Sequence, residues 1–77
     1  MPSKRRKLAY TALENHFEAE EAEGLHNLLV YFENPVGIGE HPELQEEMRT
    51  QLLKVANAED ALACLKKHAS LLLGNDE

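Results

Sequence analysis

Residues 34 to 43 read NPVGIGEHPE. Proline removes a backbone donor and restricts the residue before it, so this run cannot continue a helix. Yet it separates two long stretches whose apolar residues recur at helical spacing. Asn34 is placed to end the first helix, with Pro35 holding the residue before it out of helical geometry. Gly37 and Gly39 admit positive φ and let the chain reverse. Val36 and Ile38 alternate with them and are expected to tuck over the ends of both helices. Pro42 suits a first helical turn, where its missing N–H costs nothing, with His41 as the cap. Pro35, Gly37, Gly39 and Pro42 therefore define a turn, and the expected fold is all-α, an antiparallel helical hairpin.

Before the turn, Tyr10, Leu13, Phe17, Gly24, Leu25, Leu28, Tyr31 and Phe32 fall on one broad face at about 100° per residue. The strict alternation of a strand is absent. Ser3 can cap a helix starting at Lys4, but four cations would then face the positive end of the helix dipole. Thr11 with Glu14 has the spacing of a capping box. The expected division is a basic, partly disordered arm over 1–10 and a hairpin over 11–77. Within the hairpin the helices run about 11–33 and 42–73 around a turn at 34–41.

After the turn, Leu44, Met48, Leu52, Val55, Ala58, Leu62, Leu65, Ala69 and Leu72 follow spacings of four and three, close to a heptad seam. Glu43, Glu46 and Glu47 lie near its start and Lys66, Lys67 and His68 near its end, as the macrodipole favours. Asn57 and Asp60 offer a competing cap, which would split the helix at Asn57 and fold a third helix back. Flanking alanines and the unslipped seam favour continuity. Gly74 stops the helix.

A hairpin has one interior seam, and a chain of 77 residues is short to stand on that alone. The single cysteine, Cys64, excludes an internal disulfide. Leu53, Ala56, Ala63, Cys64 and Leu71 add apolar surface on the far side of the second helix. Pairing two hairpins into a four-helix bundle would cover it, so a homodimer is expected, packed through Phe17, Leu28, Phe32, Met48, Val55, Leu62 and Leu65. No apolar run approaches the roughly 20 residues of a membrane span, and no apolar segment follows the basic start as in a secretory signal. A lone thiol suits a reducing compartment, so the expected location is cytoplasmic.

Charge is unevenly placed. Lys4, Arg5, Arg6 and Lys7 hold half of the eight basic residues, and the rest of the chain sets four cations against fourteen acids. An acidic body repels nucleic acid, so any contact of that kind would use residues 4–7. Cys64 and His68, four apart, can share a helix face, but zinc wants four ligands and His16, His26 and His41 stand on other faces. Glu23 and His26 have the spacing of a di-iron bundle ligand pair, without a match on the second helix. Glu18, Glu20, Glu21 and Glu23 read as a solvated face, with Glu21 close to the apolar stripe. No metal, cofactor or catalytic set is expected.

The string NPVGIGEHPE, with the acidic helix start behind it, resembles a segment of short uncharacterised helical-hairpin proteins of large tailed bacteriophages. The likeness covers ten residues of 77 and the helix–loop–helix layout. It implies a phage accessory protein in the host cytoplasm and carries no activity or functional residue with it. The expected function is a non-enzymatic interaction or adaptor protein that docks a protein partner. The alternatives are a nucleic-acid-associated protein using residues 4–7 and a virion or assembly component.

Overall fold

The computed structural model describes residues 3–33 and 42–74. The turn expected at 34–41, with Pro35, Gly37, Gly39 and the aliphatic pair Val36 and Ile38, lies outside the described residues. Those described are almost wholly helical: α1 spans Lys4–Glu33, α2 spans Pro42–Lys67 and α3 spans Ala69–Leu73.

α1 begins at Lys4, not near Thr11, so residues 4–10 of the expected arm are helical. Ser3 is the cap: its hydroxyl accepts the Arg6 N–H at 3.0 Å, and its carbonyl accepts the Lys7 N–H at 3.1 Å. Tertiary contact answers the charge problem of this first turn. Arg6 lies across Gly74, at the negative end of α3, where a cation is favoured. Lys4, Arg5 and Lys7 stay exposed, where solvent screens them.

Pro42 opens α2, Glu43 stands in its first turn, and Lys66 and Lys67 close it. The helix passes Asn57 unbroken. It breaks instead at His68, whose backbone leaves helical geometry at φ −105°, ψ 14°. Helical bonds flank the break, from His68 N–H to the Cys64 carbonyl at 3.1 Å and from Leu72 N–H to the His68 carbonyl at 2.9 Å. Between them, the Leu65 carbonyl faces the Tyr10 hydroxyl at 3.5 Å, a long contact from outside the ladder. A side chain competing for a ladder carbonyl is a recognised cause of kinks. The bend sends α3 toward the start of α1. Gly74 ends it at φ 82°, donating to the Leu71 carbonyl at 3.2 Å.

The cross-links between α1 and α2 run in opposite order along the two helices. Tyr10 reaches Leu65, Glu23 pairs with Lys54, Asn27 Nδ2 donates to Gln51 Oε1 at 3.0 Å, and the Tyr31 hydroxyl donates to Glu47 Oε2 at 3.3 Å. The helices therefore lie side by side with opposed directions. They pack tightly at Gly24, the one buried residue of α1. A Cβ there would lie 2.6 Å from Val55 Cγ2 and 3.2 Å from the Gln51 carbonyl oxygen.

The core is thin. Among the described residues Val55, Ala58 and Leu65 are its buried apolar side chains, and Ala58 is wholly covered. Phe17, Leu28, Met48 and Leu62, four of the expected packing residues, are half-buried. Phe32, expected to face the second helix, is 72% exposed, and Leu52, on the expected seam, is 58% exposed. The buried stripe of α2 is rotated toward Ala58 and Leu65, which carries Leu52 out onto a flank. The radius of gyration is 17.2 Å, against about 11–12 Å for a compact domain of this length. Extents of 57 × 17 × 15 Å describe a rod one helix pair thick. No helix among the described residues is long and apolar enough to cross a membrane.

Candidate functional site

Two apolar grooves run beside the α1–α2 seam, near opposite ends of the rod. The first, about 340 Å³, is walled by Leu13 and Phe17 of α1 and by Ala61, Cys64 and Leu65 of α2. His68, Leu71 and Leu72 close it at the bend, and His68 is its one titratable side chain besides the thiol. A smaller hollow of about 130 Å³ continues it under α3, between Ala9, Tyr10 and Leu72. Leu72, beyond the bend at His68, lines both.

The second groove, about 320 Å³, lies between Leu28 and Phe32 of α1 and Gln45, Met48, Arg49 and Leu52 of α2. It belongs to a longer strip. At about 100° per residue, Glu14, Glu18, Glu21, Leu25, Leu28 and Phe32 share one face of α1, at spacings of four and three. On α2, Gln45, Met48, Leu52 and Glu59 share the facing edge. Each strip is apolar near the α1 C-terminus and carboxylate-bearing at mid-rod. The heptad spacing was there in the sequence, but the acids interrupt its apolar character and hid it as a stripe.

The four acids expected to form one solvated face separate into different settings. Glu20 stands 3.8 Å from His16 Nε2, one turn away on α1. Glu23 pairs with Lys54 across the seam, which holds the Glu23 carboxyl below its ordinary value of 4.5 and the Lys54 ammonium above its own. Glu21 instead meets another acid. A hydrogen bond to the Glu59 side chain, then partial desolvation, then the charges of Glu59 and Glu18 raise its carboxyl above 4.5, with Lys66 opposing them.

These two environments are expected to oppose each other in how stability varies with pH. The raised Glu21 carboxyl is favoured in its protonated form by the fold, so its contribution grows as pH falls through its folded-state pKa and is complete below 4.5. The depressed Glu23 carboxylate contributes above 4.5 and is lost as pH falls through its own lower value. Thermal melts followed by circular dichroism should show the melting temperature rising from pH 7 toward 5 and falling below about 4. Glu59→Gln should flatten the rise and leave the acid limb in place. A wild-type melting temperature that falls steadily from pH 7 would show that the carboxyl pair does not form.

Cys64 is exposed, and with His68 it borders the first groove. Among the described residues, no three metal-ligating side chains converge. The expected nucleic-acid contacts Lys4, Arg5, Arg6 and Lys7 all stand exposed at the pole where α2 ends, Arg6 beside Gly74. Comparison with protein-family models, with curated proteins and with solved structures finds no match.

Proposed function

We propose that this chain is a non-enzymatic helical interaction protein. In this reading α1 and α2 form a hairpin, two hairpins pair into a four-helix bundle, and the assembly docks a protein partner in the cytoplasm, the host's if the chain is phage-encoded. The observation that carries the proposal is the imbalance of apolar surface. Among the described residues three apolar side chains are buried while ten large ones, from Leu8 to Leu72, stand at least 45% exposed, so much of their apolar surface lacks cover.

The first groove is the surface that suits a second copy. A two-fold contact sets each patch against itself, so charged groups meet their own kind across the axis. The walls of the first groove hold no acid, lysine or arginine and can meet themselves without repulsion. Sedimentation equilibrium at micromolar concentration should give a dimer whose melting temperature rises with concentration. Leu71→Glu, a change at a site 59% exposed in one copy, should give a monomer that keeps its helicity. A concentration-independent melt and a monomeric mass at high micromolar concentration would overturn the dimer.

A second reading rests on the basic pole. Tyr10 and Leu65 adjoin, so Lys7 and its neighbours lie at the same end as Lys66 and Lys67. Such a cluster suits phosphate contact by a nucleic-acid-associated protein. Binding to duplex DNA that weakens steeply with salt and vanishes in the Lys4, Arg5, Lys7→Ala variant would favour that reading.

A further inference from the structure

We infer that the second groove, together with the carboxylates in line with it, is the docking strip for a cationic amphipathic helix of a protein partner. The inference rests on the reading of the chain as an interaction protein and names the partner's chemistry and register. Helix-in-groove recognition needs an apolar trough with exposed walls. Phe32 and Leu52 are 72% and 58% exposed and lie on opposite sides of a trough floored by Leu28 and Met48.

Charge selects the occupant. Beyond the trough, the strip carries Glu14, Glu18 and Glu21 on α1 and Glu59 on α2. Glu21 and Glu59 repel each other across the seam, and a cation placed between them would relieve that repulsion. A second copy is a poor occupant of the whole strip, since a two-fold axis at the carboxylates would stack acid on acid.

The spacing fixes the partner's pattern. Glu18 lies ten residues before Leu28 and Glu59 seven after Leu52, which is about 10–15 Å along a helix. The partner should therefore carry apolar anchors at helical spacing, with lysine or arginine on the same face seven to ten residues beyond them. Arg49 at the rim of the trough disfavours a cation beside the anchors.

The test uses the full chain and a synthetic fluorescein-labelled peptide of about 24 residues, roughly 36 Å as a helix. The peptide carries leucines on one face of its first half and arginines on the same face of its second. Fluorescence anisotropy should show saturable binding. Affinity should fall about tenfold in the Glu18→Gln, Glu21→Gln, Glu59→Gln variant and fall further with added salt. Binding should be lost in Phe32→Ser, Leu52→Ser, two surface changes whose helicity is checked by circular dichroism. A peptide with glutamates for the arginines should not bind. Equal binding of that peptide, or binding that survives both variants, would overturn the strip. So would the absence of peptide binding, including the case in which Phe32→Ser, Leu52→Ser dissociates a dimer and marks the strip as a contact between copies. Sedimentation of the same samples separates the two readings. A dimer that ignores the peptide refutes the strip alone, and a monomer that binds it refutes the dimer alone.

Discussion

Gly24→Leu is expected to leave the chain without a cooperative thermal transition. The two long helices leave no room at Gly24, where even a Cβ would lie 2.6 Å from Val55 Cγ2 and 3.2 Å from the Gln51 carbonyl. Neither neighbour yields readily, because valine is stiff about χ1 and the carbonyl belongs to a helical backbone. The helices must then separate along the whole seam. Gly24→Ala decides the sign by magnitude. Replacing a mid-helix glycine by alanine gains about 1 kcal/mol of helix propensity, whereas overpacking a filled contact costs about 1–3 kcal/mol. The clash outweighs propensity here, so Gly24→Ala should lower the melting temperature by several degrees. Gly24→Ala with Val55→Ala should lose less than the two single losses together, with a coupling of about 0.5–3 kcal/mol. If Gly24→Ala melts higher than wild type, the close approach at this position does not exist in solution.

Leu65→Ala should be the most damaging truncation of an aliphatic side chain. Leu65 is 8% exposed and walls both the first groove and the hollow beneath α3. Removing a buried leucine costs about 2–5 kcal/mol, a large share of the stability available to a domain this small. Leu62→Ala, at a half-buried site, should cost less, and Leu52→Ala, 58% exposed, should be close to neutral. Urea titration of the three variants tests the rotation of the seam as well as its strength. Equal losses at Leu52 and Leu62 would restore the heptad seam read from spacing alone. In a dimer the unfolding midpoint of every variant should fall at lower protein concentration.

The helical class was legible because periodicity and the Pro/Gly run agree. The start of α2 followed from Pro42 and the acids behind it, and its passage through Asn57 followed from the alanines around that residue. What stayed hidden depends on partners distant in sequence. The four cations argued against a helix at Lys4, which the Ser3 cap, the place of Arg6 beside Gly74 and solvent screening of the other cations offset. Nothing local to His68 announces a bend, since Tyr10, far away in the chain, meets the carbonyl at issue. Gly24 reads as a weak point in a helix until Val55 is set against it. The strip from Glu14 to Phe32 has perfect spacing, but half of it is acidic and it did not register as a surface. Phe32 was assigned inward by spacing alone, although it sits one face away from Gly24.

Arg6 resting on Gly74 brings the first turn of α1 and the end of α3 to one pole of the rod. Tension applied through the two ends of this segment would therefore enter at a single rung. It would open the contact at Arg6, then that at Tyr10 and Leu65, and only afterwards load Glu23 with Lys54, Asn27 with Gln51, and Tyr31 with Glu47. Contacts met one after another yield at low force, whereas the same contacts pulled in parallel would have to break together. A molecule strung this way is mechanically soft along the line joining its ends, and it gives way from the pole inward.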